Sequence, residues 1–539
     1  MSGESSMTKK LKGLFVVLMA FMLVACGGKD SGTSKENADG NTGTDKPAES
    51  GGEVKDVMRV ALTGQPPTIE PAMTAGSSTK QVAKHLYETL YTLNSNYQPV
   101  PMLAESYEMS EDGKKYTFKL REGVKFHNGK EMKSEDVVAS MNRWIELSPS
   151  AKETFGEAQF ESDGDYVVFV ELAKTNSETL DVMASPKQFP GITTKEAVEA
   201  AGPDGVKEYI GTGPFKFDEW KQDQYIKYSK FEEYQPLDTP ADGLSGKKEA
   251  LVNELYFDIV TDASTRLAGI QTGEYDVSYS VPQDSYEQVK ADPSIKTYMN
   301  LYGNLTLLYN KEGDTFADVN MRKAVNALID SEEIMLGALT HPDLYELDNG
   351  YMHTTQKNWY TDAGKEEYNQ ANIDAAKEYL EKAGYNGEEI VIIGTRDYDY
   401  QYNAAVVLKE QLSKAGINAR LDIYDWATLL EKERDPSNWD LLVIGVSTVT
   451  TPSQVLYLTY NQHGFTKDEK IASMLDEIRA STSIEDSQKL FSELQEYGWK
   501  EYVPVTNIGF HYDFITSSDK VEGLTIFDGP LLWNTKVLK

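Results

Sequence analysis

Cysteine is almost missing, with one thiol in 539 residues. That excludes a disulfide framework, a Cys-type zinc site and a redox CxxC pair, so packing must hold the fold. Histidine is scarce too: the six residues, at 85, 127, 341, 353, 463 and 511, form no HExxH or other helical metal pair. Positive charge is in deficit, with 53 Lys plus Arg against 86 Asp plus Glu and a formal charge of -33. Such a surface repels phosphate and anionic lipid headgroups, and no nucleic-acid partner is expected. Beyond Val57 no apolar stretch reaches the length of a membrane span. Apolar residues, at 40% of the chain, are plentiful enough for two to four domains with real cores.

The one cysteine occupies an informative place. Lys9, Lys10 and Lys12 precede an apolar run from Leu14 to Ala25, the length of a signal-peptide core and too short to cross a bilayer of roughly 30 Å as a helix. The run ends Leu23-Val24-Ala25-Cys26, which resembles the lipobox of bacterial lipoproteins and implies lipidation at Cys26. Residues 1–25 are therefore expected to be a lipoprotein signal peptide. Residues 26–56 are nearly all small or polar and are expected to form a flexible tether with a typical reach of roughly 30 Å.

The body reads as α/β. Met58–Leu62 is an apolar strand, followed by a loop rich in Pro and Gly and a helical pattern through Leu86, Leu90 and Leu93. Short strands are expected at 114–120 and 166–172, a helix at 134–144, and a hairpin from 215–220 and 225–231. The most regular stretch is 372–447. Asn372 caps a helix at 373–383 that Gly384 stops, and strands at 389–394, 418–424 and 440–446 alternate with helices at 401–415 and 426–434. That β-α-β-α-β order implies parallel strands, whose ligands bind beyond the carboxyl ends. The loops in question are 395–400, 425–426 and 447–453.

No catalytic constellation survives inspection. His511-Tyr512-Asp513 offers one imidazole and one carboxylate, too few for a metal site. Gly445-Val446-Ser447-Thr448-Val449 lacks the second glycine of a nucleophile elbow. Gly211-Thr212-Gly213-Pro214-Phe215 lacks the GK[ST] of a phosphate loop. With 86 carboxylates, acidity alone supports no acid-base pair. No enzyme activity, cofactor or metal is expected. What does stand out is 32 tyrosines, clustered as Tyr398-Asp399-Tyr400-Gln401-Tyr402 and Tyr424-Asp425-Trp426 in those same strand-end loops. Rigid amphipathic rings of this kind suit a cleft for a polar ligand.

The stretch Leu103-Ala104-Glu105-Ser106-Tyr107-Glu108, continuing through Gly113-Lys114-Lys115-Tyr116-Thr117-Phe118-Lys119-Leu120-Arg121-Glu122-Gly123-Val124-Lys125-Phe126-His127-Asn128-Gly129 to Ser134-Glu135-Asp136-Val137-Val138, carries a resemblance. It resembles the signature of bacterial extracellular solute-binding proteins of family 5, the peptide- and nickel-binding receptors of ABC importers. Agreement continues at Gly211–Phe215, around Met321-Arg322-Lys323-Ala324-Val325, and from Ala375 to Tyr385. The resemblance implies a type II (cluster C) periplasmic-binding-protein fold, three domains in two lobes with a hinge and an interlobe cleft. Domain I would comprise 57–87, 210–305 and 506–539, domain II 88–209, and domain III 306–505. His127, inside the signature, is expected to be structural.

The implied function is capture of a peptide and its delivery to an ABC permease, by a monomer held outside the cytoplasm on the membrane of a Gram-positive-type cell through its lipid alone. Dipeptide and oligopeptide receptors of the family place an aspartate in the loop after the strand matching 440–446. Here that loop, Ser447-Thr448-Val449-Thr450-Thr451-Pro452, has no acid. Asp425, Asp399 or Asp397 would have to replace it, while Arg396 stands where relatives often hold a ligand carboxylate. The expected ligand-binding residues are Arg396, Tyr398, Tyr400, Tyr424, Asp425, Trp426, Ser447, Thr448, Val449 and Thr450. The missing acid keeps open a receptor for another ligand, such as a metal chelate, a glutathione-like peptide or an oligosaccharide; a secreted hydrolase is the remote alternative.

Overall fold

The computed structural model describes residues 52–460 and 463–539. The expected signal peptide, Cys26 and most of the tether lie outside the described residues. The body's own hydrogen bonding begins at Glu53, whose carbonyl accepts from Lys539 N–H at 2.8 Å, and continues with Val54, which bridges to Leu538, and Lys55, whose N–H donates to Val537 O and whose ammonium meets Asp276 at 2.9 Å.

One mixed sheet of eleven strands dominates. At one end Ile390–Thr395 lies parallel to both Ala419–Tyr424 and Leu441–Ser447. The strand Leu441–Ser447 then pairs antiparallel with Ile295–Tyr309, which in turn pairs with Val505–Ser518. Beyond these come Val277–Ser278, Val57–Leu62, Glu254–Ile259 and the hairpin Tyr225–Lys230 with Phe215–Lys221. A separate four-stranded antiparallel sheet, including Lys115–Leu120 and Val167–Glu171, lies within 104–171.

Ile390–Thr395 and Leu441–Ser447 form where the sequence placed them because both their faces are largely buried, so each reads as an apolar run, whereas the edge strand Ala419–Tyr424 is only partly buried and carries Arg420 and Asp422. Ile390, Ile392, Leu441 and Val443 pack on one side against Ala404, Leu408 and Leu412. Ile393, Leu442 and Ile444 pack on the other against Leu429, Trp439 and Phe491. The crossover helices are Asp399–Lys414 and Trp426–Glu433. The helix Ile373–Ala383 is capped by Asn372, whose side-chain oxygen accepts from Ala375 N–H at 3.0 Å, and stopped by Gly384 at φ 70°.

The expected helix through Leu86, Leu90 and Leu93 is corrected: the helix spans Ser77–Ala83, and Tyr91–Leu93 is a strand paired with Pro99–Pro101. The cause is a distant segment. Gly213 N–H donates to Leu86 O at 2.9 Å and Phe215 N–H to His85 O at 3.3 Å, taking carbonyls a longer helix would need. Gly211 makes the approach feasible, since a Cβ there would lie 2.0 Å from Leu86 O. His127 holds the same segment, accepting Gly211 N–H at Nδ1 (3.1 Å) and donating from Nε2 to Gly213 O (3.0 Å). Burial lowers its pKa to about 4, so the ring is neutral and that donor–acceptor pattern is fixed.

Candidate functional site

A cleft of about 860 Å³ opens at the carboxyl ends of the parallel strands. Its walls include the loop and helix after the first strand (Thr63 to Gln81), Ser185–Lys187, the segment 279–283, the crossing strands at Asn300–Tyr302 and Asp513–Ile515, the loops 397–400 and 447–450, and Asp528 with Gly529. The crossing is tight at Gly303, where a Cβ would stand 2.0 Å from Val446 O.

The floor carries a row of rings. Tyr302 stacks on His511 with centroids 4.8 Å apart, His511 meets Tyr400 at 4.7 Å, Tyr400 meets Tyr398 at 6.2 Å, and Tyr398 stands edge-on to Trp426 at 5.0 Å. His511 is fully enclosed, and burial drops its pKa to about 3, so it acts as a neutral ring. Burial also raises the Tyr302 phenol to about 12 and the Tyr400 phenol well above the ordinary value, so both stay protonated as donors.

Of the ten sequence-predicted residues, Tyr398, Tyr400, Ser447, Thr448, Val449 and Thr450 line the cleft. The other four stand behind or beside it. Trp426 supports Tyr398 from outside. Asp425 caps the helix Trp426–Glu433, accepting Thr428 N–H at 3.0 Å. Tyr424 packs against the core behind the sheet. Arg396 folds over Tyr402, its guanidinium carbon 4.7 Å from the ring centroid and its Nη2 donating to the phenol at 3.1 Å. In the loop, Thr448 donates from both N–H and hydroxyl to Tyr302 O at 3.0 Å, and Thr450 is tied to Gln454.

Sequence reasoning missed several charged lining groups. Lys80 pairs with Asp528 at 2.6 Å; Lys84, buried behind the lining and thereby lowered to about 7, donates to Asp528 O. Lys187 faces cleft water, yet the surrounding walls and Lys80 lower its pKa. Asp397, which the sequence offered in place of the missing loop acid, lines the cleft but accepts Trp426 N–H at 2.7 Å. Asp513 lines the floor on the strand Val505–Ser518. The available signal was a carboxylate inside an otherwise apolar and aromatic run, Ile508 to Ile515.

The family model of the bacterial extracellular solute-binding proteins, family 5, matches residues 98–467 in its middle region. The chain belongs to this family. Family 5 consists of solute-binding proteins. This member is 29% identical over 491 residues to a probable peptide ABC transporter periplasmic-binding protein of Sinorhizobium fredii, covering 86% of this chain and 90% of the relative. Among solved structures, the oligopeptide-binding protein AppA of Bacillus subtilis in complex with a nonapeptide superposes with a TM-score of 0.70 at 22% identity, over 90% of this chain and 100% of that one. AgaA of A. tumefaciens in complex with agropinic acid gives 0.70 at 24%, over 90% and 99%. The fold is the type II periplasmic-binding-protein architecture.

In this family 5 protein, the segment before residue 209 also reaches the C-terminal half directly. Ser177 donates from N–H to Arg479 O at 2.8 Å and from its hydroxyl to Ile478 O at 2.7 Å. Arg479 Nη1 donates to Ser453 Oγ at 2.8 Å. Beside these bonds lie two buried acids, Glu178 and Asp181. Burial raises both pKa values, and the charge of Glu178 pushes Asp181 further.

Proposed function

We propose that the protein is an extracytoplasmic receptor that captures peptides in the cleft at the strand ends and delivers them to the permease of an ABC importer, without chemistry of its own. The observation that carries this is the cleft itself. Its volume falls in the range of about 300–1,000 Å³ usual for small-ligand sites, and it presents stacked tyrosines beside hydrogen-bonding loops. The peptide-transport relative in Sinorhizobium and the nonapeptide complex of AppA favour the same ligand class.

In this reading the lobes are those of a flytrap: domain I from 57–87, 210–305 and 506–539, domain II from 88–209, and domain III from 306–505. Closure moves them as rigid bodies about the crossing strands. The receptor is a monomer, exported and lipid-anchored at Cys26. Cys26→Ala releases it to the medium, since one lipid-bearing residue carries the attachment; retention on washed membranes overturns the anchor.

A thermal-shift screen against di- to nonapeptides tests the ligand class. A peptide at 100 times its Kd adds about 2.7 kcal/mol of stability. The 447–453 loop without an acid and the agropinic acid complex of AgaA favour a second reading, a ligand other than an ordinary peptide, such as a metal chelate, a glutathione-like peptide or an oligosaccharide, which belongs in the same screen.

A further inference from the structure

We infer that Asp513, framed by Tyr302, Tyr400 and Tyr398, is a binding site for a cationic group of the ligand, an ammonium or a guanidinium. The inference deepens the receptor reading above and rests on the same cleft.

The first ground is that Asp513 has no role inside the protein. Among the described residues its carboxylate makes no hydrogen bond and no ion pair, while the other acids of the cleft are provided for. Asp528 is paired with Lys80 and Asp397 accepts a backbone N–H. Asp399 stands exposed at the first turn of the helix Asp399–Lys414, where the helix dipole favours its charge. Asp513 is instead half-buried in the middle of a sheet, opposite Asn300 in register. An anion kept there without a counter-charge costs folding free energy.

The second ground is that no cation among the described residues pairs with it. His511, two residues away on the same strand, is neutral. Arg266 spends its guanidinium on the carbonyls of Val260, Thr261, Tyr279 and Ser280. Lys80 is held by Asp528, and Lys187, also in the cleft, feels the charges of Lys80 and Asp528 and forms no ion pair with Asp513. Arg396, the one cation in the neighbouring loop, is folded away over Tyr402.

The third ground is the frame. The charge of Asp513 reaches both the Tyr302 and the Tyr400 phenols, where it adds to the effect of burial. Tyr398, Tyr400 and Tyr302 all face the same space. A carboxylate among tyrosine faces is the chemistry that holds an organic cation: the acid supplies a charge-assisted acceptor and the rings supply their negative faces. A metal ion is a poorer match, since one carboxylate is too few oxygens for a hard cation. The site would thus supply, from the crossing strands, the acid that the 447–453 loop lacks.

The test is equilibrium binding by calorimetry of wild type, Asp513→Asn and Asp513→Glu. The probes are a random tetrapeptide mixture with free amino termini, the same mixture acetylated and freed of lysine and arginine, and two non-peptide cations, agmatine and lysinamide. Expected results are a preference of wild type for the cation-bearing probes, a tenfold or greater loss with Asp513→Asn, and partial rescue with Asp513→Glu. Equal binding of the acetylated mixture, or cation binding by Asp513→Asn as tight as wild type, overturns the inference while leaving a peptide receptor standing. Capture of agmatine or lysinamide alone, dependent on Asp513, keeps this site and overturns the peptide reading. Binding of none of the cations overturns the site outright. Ligand-free unfolding of Asp513→Asn shows that the fold is intact.

Discussion

The backbone N–H of Ser453 donates to the Glu178 carboxylate at 3.2 Å, across 275 residues of chain. This bond and the Ser177–Arg479 bonds join the segment 88–209 to the segment 306–505 beside the cleft.

That junction is pH-dependent by construction. Glu178 and Asp181 titrate above their ordinary range in the folded state, so the native protein holds their protons more tightly than the unfolded chain. Their contribution is full at low pH and declines as pH rises through the raised values. Arg479, Ser453 and Thr451 favour the charged form of Glu178 without reversing the shift. Asp181→Asn is expected to unfold about 1–2 °C above wild type at pH 8, a modest gain for a chain this long, with the difference vanishing near pH 4. Calorimetric scans at the two pH values measure it; a variant less stable at pH 8 contradicts the assignment.

Asp513 gives a second titration, with the same sign for folding. Burial raises its pKa to about 6, so the unliganded wild type is relatively more stable below that value. At pH 8 Asp513→Asn is expected to gain up to about 3 kcal/mol over wild type. Ligand binding runs the other way. Protonation removes the negative charge, so affinity for an organic cation falls as pH drops below about 6, with Tyr302, Tyr400 and His511 unchanged in charge over that range. Affinities between pH 5 and 8 check this, and a flat profile contradicts it.

Tyr398 and Trp426 are expected to act as a unit. Tyr398→Ala, which removes a cleft wall, costs about 1–2 kcal/mol of ligand binding, roughly five- to thirtyfold in Kd. Trp426→Ala costs less, because it acts through Tyr398, and the double variant binds no worse than Tyr398→Ala. Additive losses would mean that Trp426 touches the ligand itself.

Gly211→Ala tests the local construction at His127. With its Cβ driven to 2.0 Å from Leu86 O, a backbone atom with little room to yield, the variant is expected to lose about 3 kcal/mol or more. A urea midpoint close to wild type would show that the segment 211–215 relaxes freely.

How much of this was legible in the sequence depended on the range of the interactions. The strands expected at 389–394, 418–424 and 440–446 are found at Ile390–Thr395, Ala419–Tyr424 and Leu441–Ser447. The apolar runs of the first and last, and the cap and stop of the helix Ile373–Ala383, are properties of adjacent residues. The strand-end rule also led to the loops 397–400 and 447–450. Leu86 to Leu93 read as helix because the segment that claims their carbonyls lies some 120 residues further on. Asp513 and Tyr302 escaped for the same reason, being on strands about 200 residues apart that only the sheet brings together. Arg396 failed differently. Position along the chain says nothing about which way a long side chain turns, and Tyr402, on the next helix, claims it.

The row of rings along the cleft floor also gives the molecule an optical property. Five of its seven tryptophans, Trp144, Trp359, Trp439, Trp499 and Trp533, are at most 2% exposed and shielded from ionic quenchers. Of the two that are only partly buried, Trp220 packs against Tyr209 beside the hairpin, and Trp426 terminates the row that begins at Tyr302. Any occupant that presses on Tyr398 changes the surroundings of one partly buried indole. Occupancy that reaches Tyr398 is therefore expected to show in the Trp426 emission, with no label attached.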